Sequence, residues 1–472
     1  MKIRKVVTFI SILCFTTLSL IISYPLKATD SYTTHNVRAQ SSDSFVESMG
    51  ISTKFGFCPG HLCDNYSEVK TLLGELGIRY IRDVAFAEPW RIYTDLYEDY
   101  GIRMLAETGR IWLEPLNSAN ISAQLNAIKL WGEMIVGIVG VNEYDSSGFN
   151  SCEESENCDP NWSEQSWRKG YRAYQKRLYN SVKADPELRH LPVVMGPMAH
   201  LDNLEKVGSL KGICDKGNDH TYPGAIGKPS QESGGSTKIS LRSIDEAVKK
   251  VQQVCPNKKL WITETGYEEK VDGQQDRYLV TRQAKAKYLP RIYANYYLQE
   301  QIEKTFLFEL LVSIKEETQT GYGIIDTNLE PTPAYYAIKN MISLLDEATW
   351  DEEAQSWQYP DFKTSHLQYT LEGDNTNIKH LLLQKSDGTF YLLLWQEVHI
   401  YDYQEDKNIF NPNRPLKLNF GGKVVDKANK YLLYNEDTPD AELKPLETWR
   451  DVSILSLSVP DHILVLEFDL RN

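Results

Sequence analysis

The chain is poor in sulfur and has no metal-binding spacing. It carries 7 cysteines and 9 histidines in 472 residues. No CxxC pair and no histidine cluster occurs among them, so a zinc site has no support. No GxGxxG or GxxxxGKT follows any predicted strand, which removes the main argument for a nucleotide-binding sheet. There is no internal repeat and no long low-complexity linker, so the domains are expected to pack closely. Positive charge is in deficit: 51 Lys and Arg face 65 Asp and Glu, for a net charge of −14. That balance argues against nucleic acid and anionic membranes as partners and fits a neutral one. Beyond the N-terminus no apolar run is long enough to span a membrane. No cofactor, metal or protein partner is called for.

The N-terminus reads as a cleaved secretory signal, with an uncleaved membrane anchor as the alternative reading. Lys2, Arg4 and Lys5 precede the apolar stretch Val6–Ile22, with a small-residue exit at Leu26-Lys27-Ala28 or Val37-Arg38-Ala39. Residues 1–39 hold five basic groups and one acid, so the chain without them has a net charge of about −18. Cysteine usage agrees with export. Outside Cys14, in the apolar stretch, six remain, and an even count outside the cytosol favours disulfides. Local spacing favours Cys58–Cys63, Cys152–Cys158 and Cys214–Cys255 among the possible connectivities. The first two close loops of a few residues and would shape loops more than hold the fold.

What is present is a hydrophobic content of 41% with 11% aromatics, ample for a large core. Residues 40–49 read as a polar lead-in. From there short apolar strands alternate with amphipathic helices. The strands are expected at Ile51–Phe57, Ile78–Val84, Arg103–Thr108, Ile135–Asn142, Pro192–Pro197, Gly217–His220, Leu260–Thr263 and Thr305–Leu311. Eight βα units in roughly 300 residues suit a TIM (β/α)8 barrel. After about residue 346, apolar and polar residues alternate with period two between turn signals such as Asp387-Gly388 and Gly421-Gly422. This predicts an antiparallel β-sandwich. The expected organisation is a signal and tail over 1–39, a barrel over 40–345 and an all-β sandwich domain over 346–472.

Two glutamates break the apolar pattern where strands should stop. Glu143 ends IVGIVGVNE in the fourth predicted strand, and Glu264 ends LWITE in the seventh. A carboxylate at a buried strand end is costly unless paired or used. In a barrel those ends form the active site. Two carboxyl groups flanking one bond are what glycoside hydrolysis needs: one protonated to assist the leaving oxygen, one ionised to attack. Mutual repulsion raises one pKa, and cationic or hydrogen-bonding neighbours lower the other.

At these residues the chain resembles the clan A glycoside hydrolases, the retaining (β/α)8 enzymes. The resemblance rests on NE at the fourth strand, HTY after the sixth and TETGY at the seventh, in that order. It implies Glu143 as acid/base and Glu264 as nucleophile. It further implies Arg82 near the nucleophile, Tyr222 bonded to it with His220 alongside, and Asn142 on the sugar 2-hydroxyl. The substrate implied is a carbohydrate. PTPAYYAIKN (331–340) is similar to the last helix of such barrels, and the appended sandwich is similar to the xylosidase and arabinofuranosidase branches. Two positions depart from the pattern. Tyr144 stands where proline is common after NE. The eighth strand offers Glu309 where a tryptophan usually floors the sugar site, so either Glu309 binds sugar hydroxyls or the register lies elsewhere. These departures keep open a non-catalytic carbohydrate-binding or surface-interaction protein on the same barrel. Trp90, Trp112, Tyr144, Phe149, Trp162, Tyr267 and Tyr322 fall in predicted loops as candidate sugar platforms. Trp261 is expected to face the helices.

Overall fold

The computed structural model describes residues 32–57, 61–85, 90–109, 118–146, 166–233, 241–270, 275–312 and 321–471. Eight parallel strands form the barrel: Met49–Ser52, Tyr80–Val84, Arg103–Glu107, Ile135–Val139, Val193–Val194, Gly217–Thr221, Leu260–Thr265 and Ile302–Leu307. They are numbered one to eight below. Each pairs with its sequence neighbour, and the eighth pairs with the first. A parallel bridge from Val194 to Lys216 links the fifth and sixth. All eight expected strands are present, shifted by a few residues at their ends.

The barrel interior follows from strand alternation. Tyr80, Leu105, Val139, Val194, Trp261 and Phe306 form one buried cluster, contributed by six strands. Trp261 therefore points into the barrel and not toward the helices. Gly137 on the fourth strand, which is not paired with the seventh, makes room for it: a Cβ there would sit 2.9 Å from the indole ring. Helices cover the outside. Tyr66–Leu76 buries Val69, Leu73 and Leu76 and stops at Gly77, whose φ of 78° suits glycine. Ile244–Val254 starts from a capping box in which Ser243 and Glu246 satisfy each other's backbone amides.

The sandwich takes chain from both ends of the molecule. Tyr32–Arg38 pairs antiparallel with His366–Gly373, which continues to Arg414–Asn419 and Ile454–Val459. The second sheet runs Gln40–Ser41, Ile378–Gln384, Phe390–Gln396, Leu464–Leu470, Val425–Leu432 and Glu447–Val452. Tyr32–Arg38 lies in the segment read as signal and tail, too short and polar to stand out by pattern. Residues 40–49 are likewise not a loose lead-in. Ser42–Glu47 is a helix capped by the Ser41 side chain, with Phe45 and Val46 buried. Its Asp43 and Glu47 bind the buried Arg79 guanidinium at 2.5 and 2.8 Å, at the start of the second barrel strand.

Helix Arg282–Tyr297 is buried along most of its length because it lies between the domains. Arg291, fully buried, meets Glu397 of the sandwich at 3.0 Å and donates to the Asp461 and Val398 carbonyls. The expected Cys214–Cys255 disulfide is present. Cys63 is also disulfide-bonded, but Cys58, Cys152 and Cys158 lie outside the described residues. Among the described residues no helix is long and apolar enough to cross a membrane.

Candidate active site

The site is assembled from side chains that continue the inward-facing rows of the barrel. Alternation from Tyr80 puts Arg82 inside, and alternation from Leu105 puts Glu107 inside. The Arg82 guanidinium meets Glu107 Oε2 at 2.6 Å and donates from Nη1 to Glu264 Oε1 at 2.5 Å. It also donates from Nη2 to Asn142 Oδ1 at 2.7 Å. All four side chains are buried, so the cation has two carboxylates to balance it in a desolvated setting.

Glu264 is out of phase with Trp261 and Thr263, and simple alternation would turn it outward. The ladder against the sixth strand shifts between Ile262 and Glu264, and that against the eighth between Ile262 and Thr265. Such a bulge re-aims a side chain. Glu264 thereby receives Arg82 on one oxygen and the Tyr222 hydroxyl on the other, at 2.7 Å. Burial alone would raise its pKa. The His220 and Arg82 charges, with bonds from Tyr222 and Arg82, outweigh that and hold it at about 2.

Glu143 follows the fourth strand in a left-handed turn, with φ 43°. Its carbonyl accepts from the Ser146 amide at 3.0 Å and the Ser146 hydroxyl at 2.8 Å. The Asp145 carboxylate anchors the turn by accepting from the Ala199 and His200 amides and from Asn203. The Glu143 side chain is 28% exposed, against 9% for Glu264. His220 lies between the two acids. Its Nδ1 is 2.7 Å from Glu143 Oε1 and 3.4 Å from Glu264 Oε2. One ligating atom each from Glu143, His220 and Glu264 lies within 4.8 Å of the others. A divalent ion could bridge atoms at that spacing. Both Glu264 oxygens are already engaged, one by a guanidinium, so the arrangement suits protons better than a cation.

Of the residues expected at the site, Arg82, Asn142, Glu143, His220, Tyr222 and Glu264 converge in one bonded cluster. Tyr144 does not join them as an exposed platform. It is 5% exposed and packs against the helix Ser166–Ala184, where a Cβ on Gly170 would meet its hydroxyl at 2.4 Å. Tyr267 is fully buried and stacked on Tyr288 at 4.5 Å. Trp112, Phe149 and Trp162 lie outside the described residues, as does the Trp90 side chain.

Glu309 is 3% exposed and meets Lys54 at 2.6 Å, across the mouth of the eighth and first strands. The eighth strand ends at Leu307, so the residue beside the site is Phe308. Its ring is 6.5 Å from Tyr222 and 5.5 Å from Tyr322. Lys54 Nζ lies 4.9 Å over it. An aromatic residue thus stands immediately before Glu309 at the end of the eighth strand. Sequence reasoning missed Phe308, Glu107, Thr263 and Asn218. Glu107 carried the same signal as the catalytic candidates, an acid closing an apolar run.

No protein-family model matches the chain, and no curated protein matches it. Solved structures do. A family 39 glycoside hydrolase from Bacteroides cellulosilyticus WH2 is similar over 93% of this chain and 88% of that one, at 16% identity and a TM-score of 0.56. An alpha-L-arabinofuranosidase from Thermotoga maritima, solved as an arabinose complex, is similar over 93% of this chain and 100% of that one, at 13% identity and a TM-score of 0.55. At these identities the likeness establishes the fold, a (β/α)8 barrel joined to a β-sandwich as in these glycoside hydrolases.

Proposed function

We propose that this chain is a secreted, retaining glycoside hydrolase acting on O-glycosidic bonds of an oligosaccharide or polysaccharide. The observation that carries the reading is the unequal pair Glu143 and Glu264. Retaining enzymes place their carboxyl groups about 5–5.5 Å apart, whereas inverting ones need about 6.5–9.5 Å. One oxygen of each acid lies within 4.8 Å of the other, which supports the closer, retaining spacing. Glu264 is held ionised by a cation and a phenol and serves as nucleophile. Glu143, more exposed and with no guanidinium bonded to it among the described residues, serves as acid and then as base.

The remaining residues have distinct tasks. Arg82 and Tyr222 keep Glu264 charged and aim one lone pair at the anomeric carbon. Asn142 gives its carbonyl oxygen to Arg82, which leaves its NH2 to donate to the sugar 2-hydroxyl. Phe308 and Tyr322 offer apolar ring surface beside Tyr222, and the Lys54–Glu309 pair offers polar contacts to hydroxyls. The Cys214–Cys255 disulfide supports an oxidising destination.

A panel of chromogenic glycosides (glucose, galactose, xylose, arabinofuranose) beside polysaccharides tests the activity. Glu264→Gln should abolish turnover while the chain stays folded. A Glu264→Gln variant as active as the parent removes the nucleophile assignment. Sugar binding without turnover by the parent chain would instead favour a carbohydrate-binding protein.

A further inference from the structure

His220 touches both acids through Nδ1, and what lies behind its other nitrogen determines what Nδ1 can do. Nε2 lies 3.0 Å from Thr263 Oγ1. Thr263 and Asn218 are both fully buried, so each polar atom there needs a partner. The Asn218 amide can take one orientation only. Its NH2 donates to the Met195 carbonyl at 3.0 Å, and its Oδ1 accepts from the Thr263 amide at 3.2 Å. Oδ1 is purely an acceptor, so the Thr263 hydroxyl, 3.0 Å away, must donate to it. The hydroxyl then presents a lone pair to His220, and Nε2 must carry hydrogen.

With Nε2–H fixed, neutral His220 has a bare Nδ1 facing two acids. Glu264 is ionised by Arg82 and Tyr222. The contact with Glu143 at 2.7 Å then needs one proton, on Glu143 or on Nδ1. Without it a lone pair would face a carboxylate. We propose that Asn218 and Thr263 are positioning residues that hold His220 in its Nε2–H form and so keep one proton loaded in the Glu143–His220 contact. This rests on Glu143 being the acid/base of the proposed function.

The proton count closes over a cycle. In the first step the Glu143 O–H bond breaks as the glycosidic oxygen takes the proton. The bond from that oxygen to the anomeric carbon breaks, and the Glu264 carboxylate bonds to the carbon. Where that single proton rests on Nδ1, it passes to Glu143 before this transfer, so the contact holds no proton once the leaving oxygen has taken it. In the second step Glu143 takes a proton from water, the oxygen of that water displaces Glu264, and the pair is reloaded. The opposite tautomer would donate Nδ1–H to an ionised Glu143 and leave no proton to give. The groups facing His220 are Glu143 and Glu264 at Nδ1 and Thr263 at Nε2. Arg82 and Tyr222 lie beyond Glu264, and Asp219, the preceding residue, lies on the helix side of the strand.

Two measurements test this. Nitrogen NMR of His220 in the full chain, assigned by through-bond correlation, reads the tautomer without any substrate. Nε2 should be protonated across about pH 5–8; a bare Nε2 with Nδ1–H overturns the proposal. The second compares Thr263→Val on an alkyl glycoside and on a dinitrophenyl glycoside, whose leaving group needs no proton. General acid help is worth roughly 10²–10⁴-fold. The loss in kcat/KM should be at least about tenfold greater on the alkyl glycoside. The basic limb of its pH profile should move to lower pH, and Thr263→Ser should restore both. Equal losses on the two substrates, or no loss, overturn it. Should the chain hydrolyse no glycoside, the proposed function falls, and the NMR result alone decides the tautomer.

Discussion

Removing one oxygen from Tyr222 should move the acid limb of the pH–rate profile by a calculable amount. The Tyr222 hydroxyl donates to Glu264 Oε2 at 2.7 Å. Burial and the Glu264 charge push that hydroxyl well above the ordinary phenol range, so it stays a donor at neutral pH. A hydrogen bond to a charged group is worth about 1.5–3 kcal/mol. One pKa unit corresponds to about 1.4 kcal/mol, so Tyr222→Phe should raise Glu264 by about 1–2 units. Glu264 starts at about 2, so the variant should titrate at about 3–4. The acid limb of kcat/KM reports the free enzyme's nucleophile. The parent should keep its activity down to the lowest pH at which it stays folded, whereas the variant should lose it below about pH 4. Stability should follow with a definite sign. A depressed carboxyl stabilises the fold above its unfolded pKa, and that contribution is lost as pH falls through the folded value. Urea unfolding should therefore show Tyr222→Phe weaker by about 1.5–3 kcal/mol at pH 7, with the gap closing toward pH 2. An unchanged acid limb together with unchanged stability would refute the assignment of Tyr222 as the partner that keeps Glu264 ionised.

Three further outcomes are expected. Arg82→Met removes the cation that meets both buried acids, Glu107 and Glu264. It should cost about 3–5 kcal/mol in urea unfolding at pH 7, and a loss below about 1 kcal/mol contradicts the burial argument. Asp219 is fully buried without a hydrogen bond of good geometry to either oxygen among the described residues. Burial, then Glu232, Asp145 and Glu143, push it well above the usual carboxylate range against the pull of the His220 amide. A raised acid contributes fully below its unfolded pKa and loses that contribution as pH rises, so Asp219→Asn should gain in melting temperature between pH 4 and 7 relative to the parent. A gain that shrinks over that range contradicts it. The Cys214–Cys255 bridge spans 41 positions, which chain entropy converts to about 4 kcal/mol. The double alanine variant should unfold earlier by that order, measured with the other cysteines oxidised; equal stability would show the link to be slack.

The barrel was legible because each strand is a short apolar run closed by a turn or a polar residue. The counting that made Glu143 and Glu264 the ends of the fourth and seventh strands survives in the structure. Arg82, Asn142, His220 and Tyr222 were found by motif and meet at hydrogen-bond distance. What pattern alone concealed has physical reasons. The bulge at Ile262–Glu264 changes parity, so inward and outward faces cannot be read by counting alternate residues through it. For the same strand, Trp261 fits inside the barrel because Gly137 on the fourth strand has no side chain, a pairwise fact absent from either run by itself. Tyr32–Arg38 joins the sandwich across more than 300 positions of chain, and nothing local marks a seven-residue polar strand whose partner is so remote. At the eighth strand the pattern nominated Glu309 and passed over the residue before it, Phe308, whose ring lies near Tyr222 and Tyr322.

As nucleophile, Glu264 would bond covalently to the sugar. The direct measurement is intact-protein mass spectrometry after incubation with activated 2-deoxy-2-fluoro glycosides of the sugar the chain hydrolyses, followed by peptide mapping. One glycosyl adduct per chain is expected, on the peptide containing Glu264, absent in Glu264→Gln. Turnover of the parent sugar with no adduct, or an adduct on another residue, would contradict it.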